Sequence, residues 1–166
     1  MHVGRYVWVG VAAFLKTIIL PNIAHASGFT REFEGPVIAH VDRVIDGDTF
    51  EASALIWLGQ QVSVRVRILG IDAPELRAHC DSERARAEAA RAWLDRRIAG
   101  AEVRLSAIRT DKYGGRVDAS VTDAHGDIGD SIVRAGLARL YDGGHRDGWC
   151  SQHDNLSRER ERDAKT

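Results

Sequence analysis

VSVRVRILGIDAPE, residues 62–75, alternates apolar and polar residues and then turns through two acids. Val62, Val64, Val66 and Ile68 alternate with Ser63, Arg65 and Arg67, so the segment is a β-strand with one apolar face and with Arg67 on the other. Two acids, Asp72 and Glu75, follow its end around Pro74. Upstream, residues 59–61 (Gly-Gln-Gln) turn back to a strand over Thr49–Leu58, and Asp46-Gly47 turns that one back to a Val- and Ile-rich strand over Pro36–Ile45. Downstream, residues 81–83 (Asp-Ser-Glu) open a helix with acids in its first turn, where the helix dipole favours them. Ala85, Ala89, Ala92, Trp93 and Ile98 recur on it at helical spacing, which makes them its expected buried stripe, and Gly100 stops it.

Glu102–Ile108 and Arg116–Thr122 read as a fourth and a fifth strand, joined by residues 111–115. Asp127 can cap a second helix over Ile128–Leu137. The tail 151–166 is charged, and its alternating run Arg158–Arg162 suits a solvated third helix or an extended end. The first three strands have no helix between them, which disfavours a parallel βαβ sheet. The expected architecture is mainly β with helices (α+β): a five-stranded OB-type barrel with about three attached helices.

With 166 residues, 44% of them hydrophobic, the chain can build one ordinary core, and a disordered tail, a collagen-like repeat and a disulfide-dense miniprotein are excluded. Its 23 basic and 24 acidic residues give a formal charge of −1, which excludes a strongly basic nucleic-acid coat. Any polyanion must be met by local charge or by a metal.

Residues 1–26 carry Arg5, an apolar stretch interrupted by Lys16, and an Ala24-His25-Ala26 end before Ser27. A positive start, a short apolar middle and a small-x-small end make a secretory signal peptide; the alternative is a retained N-terminal anchor helix. Cleavage would remove two cations and no acid, leaving a charge of −3. The expected organisation is a signal peptide (1–26), a flexible lead-in (27–35), a barrel domain (36–150) and a charged tail (151–166). Export to an oxidising compartment favours a disulfide between Cys80 and Cys150, the two cysteines present, over two free thiols.

Asp48, Asp72 and Glu75 sit at strand ends, where structure alone asks only for turn residues. Carboxylates with no Cys or His among them suit a hard cation such as Ca²⁺. Arg67, five residues before Asp72, puts a guanidinium beside them, which is the equipment of phosphodiester chemistry: charge offset, an oriented water, and a fork-shaped cation on the phosphorus oxygens. The bland alternative is a surface ion pair between Arg67 and Asp72.

In chain order, IDGDT (45–49), VRILGIDAPE (66–75), TDKYG (110–114) and RAGLA (134–138) together resemble the thermonuclease, or staphylococcal nuclease, family over about residues 36–141. The resemblance implies an OB barrel with three helices and a Ca²⁺-dependent phosphodiesterase that cuts DNA and RNA to leave 3′-phosphates. It implies Asp48 and Asp72 as calcium carboxylates, and the carbonyl of Ala73, in place of the family's Thr, as a third ligand. Glu75 matches the carboxylate that positions the attacking water, and Arg67 the first phosphate-clamping arginine. Asp46 matches a supporting acid, although a turn-forming role explains it equally. Lys112 and Tyr113 match loop residues that touch a terminal phosphate, and Tyr141 an aromatic near the nucleotide. The family reads Y-G-R where this chain has an extra Gly115 before Arg116, so Arg116 serves as the second clamp if the glycine bulges out.

The resulting expectation is an exported, monomeric, calcium-dependent nuclease, secreted or periplasmic, acting on DNA or RNA single strands without stable membrane association after cleavage. The alternative is a non-catalytic OB-type module that binds nucleic acid or protein.

Overall fold

The computed structural model describes residues 32–111 and 114–150. The expected signal peptide, the start of the lead-in, Lys112, Tyr113 and the tail with its expected third helix lie outside the described residues.

The elements run β1 (Glu32–Phe33), β2 (Val37–Val44), β3 (Thr49–Trp57), β4 (Gln60–Ile68), β5 (Ile71–Asp72), α1 (Asp81–Ile98), β6 (Glu102–Thr110), β7 (Arg116–Asp123), β8 (Gly126–Asp127), α2 (Ile128–Arg134) and β9 (Arg139–Leu140). Strands β6, β2, β3, β4 and β7 are neighbours in that order, and β6 also pairs with β7, which closes a five-stranded barrel. The expected α+β, OB-type barrel is therefore present, with two helices among the described residues. All its pairings are antiparallel except β4 with β7, which run parallel with Arg65 opposite Arg116 and Arg67 opposite Asp118. The end of the expected lead-in is ordered as β1, which pairs with Ile108 and Arg109 of β6.

Alternation along the strands fills the barrel. Val41, Phe50, Ala52, Val66, Ile68, Val103, Leu105, Ala119 and Val121 are buried, and Leu94, Ile98, Ile128 and Ile132 from the two helices join the same cluster. The period-2 reading of β4 holds from Val64 onward, but Val62 is 45% exposed because the β3–β4 hairpin runs on past the barrel into solvent.

On α1 the expected stripe is displaced. The buried positions are Glu83, Ala87, Ala90, Leu94 and Ile98, while Ala85, Ala89 and Ala92 face outward. Alanines abound on every side of this helix, so small-residue spacing could not set its rotation; Leu94 and Ile98 do, by their larger apolar area. Trp93 is partly buried against the core, as expected of a packing residue. The buried Glu83 accepts a hydrogen bond from His79 N at 2.9 Å, just ahead of the N-cap Cys80, which satisfies one of the donors at the helix entrance.

Two local devices position the strand ends. Gly47 is packed so closely that a Cβ there would lie 2.6 Å from Ala90 Cβ and 2.9 Å from Ala73 Cβ. The turn 46–48 therefore lies against α1 and against residue 73 because residue 47 has no side chain. The short β5–β9 pairing then sets Asp72 opposite Arg139 and brings the segment after β9 alongside.

Candidate active site

Asp48 reaches the site from the start of β3. The 46–48 turn is closed by Asp48 N donating to Asp46 Oδ1 at 3.2 Å, and Ile68 N donates to Asp48 O at 2.8 Å, tying the start of β3 to the end of β4. Asp46 thus closes the turn, and its charge also acts on Asp48.

The Asp48 carboxylate is almost wholly buried. Its Oδ1 accepts from Thr49 Oγ1 at 2.8 Å, and its Oδ2 accepts from Ala73 N at 3.3 Å and faces Arg67 Nη1 at 3.0 Å. Burial raises its pKa to about 6; Arg67 opposes the shift and Asp46 adds to it.

Arg67 projects from the penultimate position of β4, opposite in direction to Val66 and Ile68. It donates to Ile71 O at 3.2 Å, and its Nη2 lies 4.0 Å from Asp72 Oδ1. It is only 14% exposed and its closer acidic partner is Asp48, so it is no surface ion pair with Asp72. One guanidinium therefore spans both carboxylates that the motif pattern assigns to calcium.

Asp72, buried in β5, is held from the other side by the segment after β9. Arg146 Nε donates to Asp72 Oδ1 at 2.6 Å, Arg146 Nη2 also contacts that oxygen, and Trp149 Nε1 donates to Oδ2 at 3.1 Å. Arg146 Nη2 also lies 3.1 Å from Glu75 Oε1, and Glu75 is about half exposed. Burial opposes the charge on Arg146, but Asp72 and Glu75 outweigh it and raise its pKa above the ordinary arginine value.

The segment itself is pinned at both ends. Tyr141 N donates to Gly70 O at 2.9 Å, and Cys150 is disulfide-bonded to Cys80 with their Cα atoms 6.0 Å apart. The expected pairing is therefore present, and neither cysteine is free. Arg139 stacks on the Trp149 ring at 3.4 Å and donates to Gly148 O at 3.1 Å, which fixes the indole.

Arg67 and Arg116 line one cleft of about 340 Å³ together with Arg109, Asp118, Tyr141 and Arg146. The extra glycine is absorbed in the turn and does not kink the strand. Gly114 and Gly115 take φ of 68° and 65°, a left-handed pair open to glycine, and β7 then begins at Arg116. Asp111 is ion-paired with Arg116 at the cleft edge. Asp118 has its carboxyl pushed up by burial and by Asp111, against the pull of Arg67, Arg109 and Arg116. Tyr141 turns its hydroxyl to Gly144 O at 2.8 Å while lining the cleft.

The structure thus brings Asp46, Asp48, Arg67, Asp72, Ala73, Glu75, Arg116 and Tyr141 to one end of the barrel; Lys112 and Tyr113 lie outside the described residues. Sequence reasoning missed Arg109, Asp118, Arg146 and Trp149. A signal for Asp118 was present, since it stands two residues from Arg116 on one strand and so shares its face. Trp149 adjoins Cys150, so the expected disulfide already fixed its neighbourhood.

The donor set fits a hard divalent cation. Asp48 and Asp72 offer oxygens only, both are buried, and both face the same guanidinium.

A family model described as "Staphylococcal nuclease homologue" matches residues 65–166. Asp46 and Asp48 precede that match, so their assignment rests on the motif and on the geometry above. A curated relative, "Probable endonuclease LCL3" of Arthroderma otae, is 35% identical over 85 residues. The match covers 48% of this chain and 30% of the relative, so the chain spans less than a third of that protein's length.

Proposed function

The chain belongs to the staphylococcal nuclease family, and we propose that it is an exported, calcium-dependent nuclease that hydrolyses phosphodiester bonds of DNA or RNA. The observation that carries this reading is that Arg67 faces Asp48 and Asp72 while sharing a cleft with Arg116. Acids for a cation and forks for a phosphate thus meet at one place.

In this reading Asp48, Asp72 and the Ala73 carbonyl would hold Ca²⁺, which would offset phosphate charge and polarise the phosphoryl oxygens. Arg67 and Arg116 clamp the phosphate from one wall of the cleft and stabilise charge as the phosphorus becomes five-coordinate. Glu75 accepts a hydrogen bond from the attacking water and takes its proton as the new P–O bond forms; the leaving oxygen departs with the bonding pair and is protonated from solvent. Tyr141 offers an aromatic face to a base, and Lys112 and Tyr113 lie on the loop expected to reach a terminal phosphate. The mature charge of −3 makes affinity local, with a shallow salt dependence.

Export is supported by the three-part N-terminal segment and by the Cys80–Cys150 bridge, which belongs to an oxidising compartment, periplasmic or extracellular. Among the described residues no helix is long and apolar enough to cross a membrane. We propose that the mature protein acts as a monomer.

The test is cleavage of single-stranded DNA by the purified protein with calcium and with chelator. Chelator-sensitive cleavage that falls by about 100-fold or more in Glu75→Gln, with binding retained, is the expected result. A folded protein that binds the strand and never cuts it would instead be the non-catalytic OB-type binding module.

A further inference from the structure

All four carboxylate oxygens of Asp48 and Asp72 are engaged by donors of the protein, and the donors are of two kinds. Those on Asp48 (Thr49 Oγ1, Ala73 N and Arg67) belong to the barrel and its immediate turns. Those on Asp72 (Arg146 and Trp149) come from the segment that follows β9. Asp72 Oδ1 is also the oxygen that faces Arg67, 4.0 Å away, and through Arg67 faces Asp48. Of the two Asp72 oxygens this one is the nearer to Arg67, and Arg146 occupies it.

Arg146 is built differently from its neighbour on Oδ2. The Trp149 indole is clamped by Arg139 and adjoins the disulfide. The Arg146 side chain is 40% exposed, against 14% for Arg67, and it lines the cleft that holds Arg67 and Arg116. It can swing while the backbone, anchored at Tyr141 and Cys150, stays in place. Beside a bound divalent cation a guanidinium on Asp72 is repelled, whereas a phosphate in the cleft attracts it.

We propose that Arg146 is a third phosphate-binding arginine of the cleft: it neutralises Asp72 and Glu75 in the cation-free protein, and turns to the nucleic-acid backbone when a divalent cation takes Asp72 Oδ1. The inference rests on the nuclease reading above. It assigns Arg146 two alternating partners, and so makes cation and phosphate binding cooperative through one side chain. Trp149 keeps Oδ2 hydrogen-bonded throughout, so that Asp72 presents a single oxygen in a fixed direction.

The experiment measures binding, not turnover. Calcium alone is titrated into the full-length protein by calorimetry, and then a phosphorothioate single strand is titrated at saturating calcium. Removing the competing cation in Arg146→Gln should tighten calcium binding about tenfold and weaken strand binding about tenfold. Arg146→Lys, which keeps the charge, should stay near wild type for calcium and recover part of the strand affinity. Unchanged calcium affinity in Arg146→Gln, or unchanged strand affinity, overturns the proposal. Wild-type protein that binds no calcium, with Asp72→Asn and Arg146→Gln equally silent, overturns both this proposal and the calcium-dependent reading it rests on.

Discussion

Replacing Gly47 by alanine should unfasten the site by way of packing, without touching a charged group. The added Cβ would stand 2.6 Å from Ala90 Cβ and 2.9 Å from Ala73 Cβ, where carbon atoms ordinarily rest about 3.5–4.0 Å apart. Backbone strain is not involved, because φ at residue 47 lies outside the left-handed region. Neither neighbour is a flexible side-chain end, so the turn itself must lift away from α1 by roughly 1 Å. Overpacking of this kind costs about 1–3 kcal/mol, and for a domain of this size each kcal/mol lowers the melting temperature by roughly 4 °C. The same movement carries Asp48 away from Ala73 N and Arg67, so calcium affinity should fall together with stability. Thermal melts and calcium titrations of Gly47→Ala, Ala90→Gly and the double variant form the assay. Ala90→Gly alone should cost about 1 kcal/mol as a glycine within a helix. In the Gly47→Ala background it should cost less, because it also relieves the closest contact. A Gly47→Ala protein that melts with wild type, or an Ala90→Gly cost that is equal in both backgrounds, would mean that this close contact does not seat the turn.

Two further outcomes follow from the ion pairs and the bridge. Arg97 Nε and Nη2 bond Asp123 Oδ2 and Oδ1 at 2.6 and 3.0 Å, and although burial alone would raise the Asp123 carboxyl, the Arg97 hydrogen bond and the backbone N–H of His125 lower it below its ordinary value. Arg97→Ala should therefore cost about 1 kcal/mol in urea unfolding at neutral pH. A depressed carboxyl lends stability above its unfolded pKa and loses it as pH falls through the lower folded value. The wild-type advantage should accordingly vanish well below pH 4 and persist at pH 7. Cys80→Ser with Cys150→Ser opens a bridge between residues 70 apart and should lower stability by about 4 kcal/mol on the chain-entropy model, while thiol labelling of the native oxidised protein should modify neither cysteine.

The barrel was legible because strand alternation and turn chemistry are local. Val64, Val66 and Ile68 declare their face two residues at a time, and Asp46-Gly47 and Gly59 mark the turns between strands. The rotation of α1 was not legible, since alanines on several faces make small-residue spacing ambiguous until Leu94 and Ile98 choose the side that packs. In the site, Asp48, Asp72 and Glu75 could be read because they stand beside strand ends, where a turn needs no charge, and Arg67 because it is the last polar position of an alternating strand. Arg146 could not be read in the same way. It lies 74 residues from Asp72, in a stretch whose composition says only "turn", and its position depends on the β5–β9 pairing and a disulfide that act at long range. Gly47 carries a similar lesson: its sequence context suggested a hairpin preference, whereas its effective constraint is a methyl group on a helix that begins more than thirty residues later.

The parallel pairing of β4 with β7 decides what an insertion near Arg116 can alter. Main-chain hydrogen bonds set Arg65 opposite Arg116 and Arg67 opposite Asp118, so the interval between Arg67 and Arg116 is fixed by the ladder and not by the loop that precedes it. Residues added between Asp111 and Arg116 precede this ladder and leave its register unchanged. Loop length and charge spacing are thereby independent variables in this fold: a change in one need not disturb the other.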